Sequence, residues 1–373
     1  MTVVTPLSGD PSSPTMRAAL LTGSGGPEML EVRDDVPTPI PGPRDALIRV
    51  SACGMNNTDI NTRVGWYSRA VSSATSEGGF AEASADEASW GRRGLQLPRI
   101  QGADVVGHVV AVGTEVSDAQ LLGRRVMVDP CLRDPDDPSD RSGAGYLGSE
   151  ADGGFAEFTA VPAVNVHPVN SELSDAELAT FPCSSVTAEH MLSRIGLQNG
   201  QSIAVTGASG GVGSALVQLA KRRGARVVAV AGSSKIGQVL NIGADAAVAR
   251  ETPSVADAAV SANGGRFDAV ADVVGGDSFA GWLDALVRGG RYVTAGAIGG
   301  PIVQLDLRTL YLNDLEFYGA TIYEPGIFAD LVGYIERGEI RPILGGTYPL
   351  EEIHAAQEAF GRKEHIGNLV ITL

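Results

Sequence analysis

Two stretches of this sequence have residue types and spacing suited to chemistry. In the first, "SIAVTGASGGVGSALVQLAKRRGARVVAVAGSSK" (202–235), an apolar run enters a glycine turn, a helical segment follows to Gly224, and a second apolar run begins at Val227. A G-x-G-x-x-G pattern set between strand and helix in a unit of about 30 residues is the signature of a dinucleotide cradle. Gly210 and Gly211 let backbone N–H groups approach a pyrophosphate beside Val212, Gly213 lets the helix lie close to the strand, and the helix N-terminus adds partial positive charge. Ala208 takes the place of the first glycine. The second stretch, "ACGMNNTDINTRVGWY" (52–67), puts Asn56 and Asn57 between a cysteine and an aspartate. On these residues alone it reads as a metal site, a metal-free active site or a turn.

The cradle also carries a cofactor preference. About 20 residues on, where NAD sites place an acid against the ribose hydroxyls, this chain has Ala231, Gly232, Ser233, Ser234 and Lys235. A carboxylate ~4 Å from a phosphate would repel it by about 4 kcal/mol at an effective dielectric of 20, so a cation in place of the acid favours a 2′-phosphate. The expected cofactor is NADPH, with Lys235 and then Arg250 on that phosphate; the plain alternative makes Lys235 a solvated turn residue. Ligands of parallel sheets sit at the strands' carboxyl ends, which puts backbone at Val274, Ala295 and Ala297 along the nicotinamide pocket.

The positioning elements follow from periodicity. From Met16 to about Val166, short β-rich runs alternate with Gly, Pro and Asp clusters, as in an irregular antiparallel domain. From about Ser202 the rhythm becomes strand, turn, helix, strand, which predicts βαβ units on a parallel sheet. One expected helix carries Phe279, Trp282, Leu283 and Leu286 on a core face; another carries Phe328, Leu331, Val332 and Ile335. Residues 68–100, rich in Ser, Ala, Gly and acids around Phe80 and Trp90, read as an insertion that shapes the substrate entrance or an oligomer contact.

With 373 residues, 43% hydrophobic and 19% charged, the chain has enough apolar content for two domains. A net charge of -16 argues against nucleic acid and anionic membrane as partners. No apolar run reaches the ~18 residues of a membrane span, the first residues lack a secretory pattern, and three scattered cysteines point to a reducing compartment. The expected location is the cytoplasm.

The order of parts, with "GADVVGHVVAVGTEV", "DGGFAEF", "FPCSSVTAEHML", "GASGGVGSALVQLAKRRGA" and "DVVGGDSF", resembles the medium-chain dehydrogenase/reductase superfamily, and within it the zinc-independent quinone oxidoreductase branch. The resemblance implies an α/β fold: a Rossmann doubly wound parallel sheet plus a GroES-like irregular β-barrel catalytic domain. The expected bounds are a tail at 1–15, the catalytic domain at 16–168 completed by 327–373, and the NADPH-binding domain at 169–326. At the positions of the catalytic zinc ligands of the alcohol dehydrogenase branch stand Asn56, Ala103 and Cys183, so no metal is expected; one soft ligand does not hold tetrahedral zinc. The resemblance puts Asn56 beside the nicotinamide, bonded to cofactor or substrate, Thr58 in a proton relay, Tyr67 in the cleft, Thr187 beside the ring and Asn368 near the pyrophosphate. Many quinone reductases have a tyrosine where this chain has Asn61. The activity implied is hydride transfer from NADPH to a quinone or α,β-unsaturated carbonyl, a small-molecule electrophile. The alternatives are a carbonyl reductase or alcohol dehydrogenase, and a non-catalytic NADPH-binding protein. A homodimer or homotetramer, joined through edge strands of the nucleotide domain such as "LEFYGATIY", is implied by the same resemblance.

Overall fold

A computed structural model describes residues 9–75, 89–90, 94–116 and 121–373. Much of the 68–100 excursion, Phe80 included, lies outside them; Trp90 lies inside. Strand β1 (Thr15–Leu21) pairs antiparallel with β2 (Leu30–Pro37). The ten-residue β3 (Asp45–Gly54) is the hub of a larger sheet, followed at once by α1 (Asn57–Val64). It pairs with β4 (Asp104–Val112), with Phe158–Pro162 and with a strand from the far end of the chain. Register shifts at Leu47/Ile48 and Val50/Ala52 mark bulges, which bend a strand and let it serve several partners.

Helix α2 (Pro182–Arg194) leads into a six-stranded parallel sheet. Its first unit is β5 (Ser202–Val205), α3 (Gly211–Arg222) and β6 (Arg226–Ala231). Then come β7 (Ala246–Ala249), β8 (Phe267–Asp272), β9 (Leu286–Thr294) and β10 (Glu316–Gly319), in the order β7-β6-β5-β8-β9-β10. Ile203, Ala204, Val205 and Val227 to Ala229 are fully buried, the continuous apolar run of strands covered on both faces. The strand order reverses between β5 and β8, and that switch point opens a crevice at the carboxyl ends.

One expected helix ends early. The helix bearing Phe279, Trp282 and Leu283 stops at Asp284, and Leu286 opens β9. Gly289 and Gly290 disfavour helix continuation, and pairing with β8 offers the backbone a better use. The second stripe, Phe328 to Ile335, is a buried helix face. Helix α4 (Ile353–Arg362) then returns the chain to β11 (Asn368–Thr372), which pairs with β3 and so closes the first sheet from the far terminus.

Candidate active site

A cleft of about 980 Å³ runs from the carboxyl ends of β5, β6 and β8 to the start of α1. Gly207, with φ of +59°, makes the tight turn after β5, and a Cβ on Gly213 would lie 2.1 Å from the Gly207 carbonyl oxygen. That close approach seats α3 against its strand. Gly210, Gly211 and Val212 line the cleft, while Ala208 does not: it is buried, and its N–H donates to the Val230 carbonyl at 3.0 Å. The tight-turn role therefore belongs to Gly207.

Past β6, Gly232, Lys235 and Arg250 line the cleft. Ser233 does not; its N–H donates to Glu251 Oε2 at 3.1 Å, and Ser234 faces the cleft instead. A carboxylate therefore does stand at the end of β6, contributed by Glu251 just past β7. Lys235 Nζ donates to the carbonyls of Lys363 (2.6 Å) and His365 (2.7 Å).

Val274, Ala295 and Ala297 line the far side, over a floor pinned by one buried acid. Asp272 accepts from Thr206 Oγ1 (2.5 Å) and from the N–H groups of Val274 (2.8 Å) and Gly275 (3.2 Å). Thr187 lines the cleft beside Cys183.

The α1 end is wired from three sides. Asp59 accepts from the N–H of Asn56 (2.8 Å) and of Gly102 (3.2 Å), fixing the helix start. Asn368 Nδ2 donates to Ser184 Oγ (2.8 Å), and Ser184 donates to Asn56 Oδ1 (3.4 Å). A Cβ on Gly211 would meet Ser184 Oγ at 2.4 Å and Asn368 Oδ1 at 2.7 Å, so this chain begins at the N-terminus of α3. On its other side the Asn56 amide faces the Asp104 carboxyl in a bond short of ideal geometry, since neither Asn56 Nδ2 nor Asp104 Oδ2 has a well-formed partner. Asp104 Oδ1 accepts from the Cys183 N–H at 2.8 Å.

Burial governs the titrating groups here. It raises Asp104 to about 8, against the pull of Asn56 and of the Cys183 N–H, and raises Asp59 to about 7. The Cys183 thiol is pushed up first by burial and then by Asp104. Tyr67 is raised to about 12, again by burial, although hydrogen bonds from Thr58 and Asn61 oppose the shift. Thr58, Asn61 and Tyr67 all line the cleft; Asn61 stands next to a phenol supplied by the residue six positions later.

This donor set does not fit zinc. Asn56 is a carboxamide already engaged and Ala103 offers no side-chain donor, which leaves Cys183 as a single soft ligand at these three positions. Among the described residues, no three His, Cys, Asp or Glu side chains group as metal ligands. The fit to a dinucleotide is better: a glycine cradle, a free helix N-terminus and cations at the rim.

Sequence reasoning missed Ser184, Trp66, Tyr146, Tyr323 and Lys363, all of which line the cleft together with Trp90 of the insertion. Trp90 and Tyr146 stack at 4.8 Å between ring centroids. Tyr323 is held by Asp129 and by Arg133, whose Nη2 donates to its carbonyl at 3.0 Å. Only the adjacent Arg362 and Lys363 in "GRKEHIGN" left a local signal, a pair of basic residues just before Asn368.

Comparison with known proteins agrees with this architecture. The family described as alcohol dehydrogenase GroES-like domain matches residues 42–171, and that described as zinc-binding dehydrogenase matches residues 211–337. A Sinorhizobium meliloti 1021 protein assigned as an alcohol dehydrogenase is 48% identical, with a TM-score of 0.88 over 96% of this chain and 97% of that one. A quinone oxidoreductase from Lama guanicoe is 28% identical over 96% of this chain and 97% of its own length. An acryloyl-coenzyme A reductase from Metallosphaera sedula is also 28% identical, over 96% of this chain and 100% of its own.

Proposed function

Because the chain belongs to the medium-chain dehydrogenase/reductase superfamily and is quinone oxidoreductase-like, we propose that it is a zinc-independent, NADPH-dependent reductase of quinones or α,β-unsaturated carbonyl compounds. The observation that carries this reading is the α1 end of the cleft, where amide, phenol and hydroxyl donors stand in place of metal ligands. The relatives named for quinones and for acryloyl-coenzyme A support an acceptor with a conjugated double bond.

The bound dinucleotide supplies a hydride. Gly210 to Val212 and the α3 terminus would hold its phosphates, Val274 and Ala297 would line the pocket for its ring, and Lys235 with Arg250 would meet the 2′-phosphate. Asn56, fixed by Ser184 and Asp104, donates an N–H to the oxygen that gains charge. Tyr67 stays protonated at neutral pH, aligned by Thr58 and Asn61, and gives its proton to the reduced acceptor. Trp66, Trp90 and Tyr146 exclude water and offer flat apolar surface, suited to conjugated acceptors that already spread charge. Simple aldehydes profit more from a Lewis acid than these neutral donors provide.

The Glu251 carboxylate on the Ser233 N–H favours a second reading of the cofactor, with NADH in place of NADPH. A homodimer or homotetramer would form along β10, an edge strand next to the exposed Leu307, Tyr311 and Leu312. Among the described residues, no helix is long and apolar enough to cross a membrane.

The decisive assay is single-turnover oxidation of NADPH and of NADH by metal-stripped protein, with a naphthoquinone, an aryl enone and a matched aryl aldehyde. Fast turnover of the first two with NADPH is expected. Activity confined to the aldehyde, or lost on chelation and restored by zinc, would refute the reading.

A further inference from the structure

The sequence holds three lysines among its excess of acids. Lys221 is paired with Asp245 at 2.8 Å. The other two, Lys235 and Lys363, both line the cleft, and neither has an ion pair among the described residues. The carboxylates nearby are already taken: Glu251 by Arg250 (3.1 Å) and Glu364 by Arg362 (3.8 Å). Like charges are costly side by side, and such a pair in an acidic protein marks a place where an anion is expected.

Geometry says which part of the anion. Lys235 follows β6, at the ribose end. The segment after α4 runs back along the glycine turn: the Gly367 N–H donates to the Ser209 carbonyl at 2.9 Å, and Gly210 bridges to Gly367. Lys363 opens this segment. Its carbonyl accepts from Lys235 Nζ, while its own Nζ donates to Asn57 Oδ1 at 2.8 Å, on the first residue of α1. It therefore spans the distance between the ribose end and the nicotinamide loop, the stretch in which a dinucleotide places its pyrophosphate. Its backbone is left-handed, with φ of +53°, at a helix end where glycine is the usual occupant. A strained lysine in a position suited to glycine is an outlier that points to function. Burial of its ammonium and then Lys235 hold it below the ordinary lysine range, though the residue as a whole is exposed.

We propose that Lys363 binds the cofactor's pyrophosphate from the catalytic side of the cleft, as a phosphate-binding residue distinct in role from Lys235. The inference rests on the dinucleotide reading of the cleft and not on the preference for NADPH.

The test is cofactor affinity, by quenching of protein fluorescence, for the wild type, K363M, K363G and K235M with NADPH, NADH, ADP and 2′-AMP. A lost charge-assisted phosphate contact is worth roughly tenfold or more. K363M is expected to weaken NADPH, NADH and ADP by about the same factor and to leave 2′-AMP unchanged. K363G is expected to do the same while melting no lower than wild type, because glycine relieves the left-handed backbone. K235M is expected to weaken NADPH and 2′-AMP alone. Unchanged affinities in K363M, or a loss confined to NADPH and 2′-AMP, would overturn the assignment. Equal binding of NADPH and NADH by the wild type would sink the NADPH reading and leave the Lys363 result standing.

Discussion

Replacing Asp104 by Asn isolates the cost of a buried acid at the active site. Asp104 is fully buried, and burial lifts it from the ordinary 3.8 to about 8. Between those values the native state keeps a proton that the unfolded state has released, so the native state binds more protons and stability falls as pH rises. Each pH unit costs about 1.4 kcal/mol, which over about four units gives a ceiling of about 6 kcal/mol; about half accrues below pH 6, leaving about 3 kcal/mol between pH 6 and pH 9. Asparagine keeps an oxygen for the Cys183 N–H and has nothing to ionise. The difference in melting temperature, variant minus wild type, is therefore expected to grow by about 5 °C from pH 6 to pH 9. Asp59, raised to about 7, is present in both proteins, and its charge adds to the lift on Asp104. Differential scanning fluorimetry at half-unit steps reads the effect. A difference that stays flat with pH would refute the claim that Asp104 is held neutral, and one that shrinks would mean that the folded protein stabilises its charge.

Tyr67→Phe removes the phenol while leaving the ring, so kcat is expected to fall about 100-fold with NADPH affinity unchanged; a loss seen in affinity instead would make Tyr67 a cofactor contact. Because Tyr67 titrates at about 12, wild-type kcat is expected to show no Tyr-dependent alkaline limb below about pH 10, which a stopped-flow pH profile checks. Glu251→Gln takes a carboxylate off the Ser233 N–H and is expected to tighten NADPH roughly two- to fivefold without changing NADH; weaker NADH would mean that Glu251 grips the ribose. In Gly213→Ala the new Cβ meets backbone at 2.1 Å from the Gly207 oxygen and 2.6 Å from Ala208 Cα, so α3 must move away, at about 1–3 kcal/mol in chemical denaturation together with weaker cofactor binding.

The parallel sheet was legible because its evidence is local. An apolar run, a glycine turn and a helix follow one another within some 30 residues, and burial on both faces requires the apolar run whatever the rest of the chain does. Leu286 leaves the expected helix because an apolar period says little about where a helix yields to a strand, and pairing with β8 decides it. The acceptor end of the cleft shows the same limit on a larger scale. Asn56, Thr58 and Tyr67 lie in one short stretch and could be named together. Their partners Asp104, Ser184 and Asn368 come from positions 104, 184 and 368, joined because β4 and β11 both pair with β3 and Asn368 of β11 reaches Ser184 of α2. Trp90 and Tyr323 arrive on loops and Tyr146 on a two-residue strand, Gly145–Tyr146, all too short to carry a period. Glu251 has a related cause: the dinucleotide pattern places its acid at the end of β6, while the strand beside it, β7, delivers one to the same place.

The acids retained at this site bear on how hydride chemistry proceeds with amide and phenol donors. A charged Asp104 would draw the Asn56 N–H away from the cleft, since a hydrogen bond to an ionised acceptor is about twice as strong as one to a neutral group. A neutral Asp104 competes less, and in the proposed scheme the amide would be left with more capacity to meet the oxygen that gains charge. Burial, which destabilises the carboxylate, is therefore also what keeps the donor available. Two groups on neighbouring elements share that dependence: Asp59 holds the Asn56 backbone, and the Cys183 N–H holds Asp104 in place. The same environment keeps Cys183 as a thiol, and a thiol is a poor nucleophile toward conjugated acceptors. A cysteine can thus line a cleft built for electrophiles without being consumed by them. If that balance holds, an enone that traps exposed thiols within minutes will turn over here while Cys183 stays unmodified by mass spectrometry; rapid alkylation of Cys183 at neutral pH would show that the site is wetter, and its acids more charged, than this packing allows.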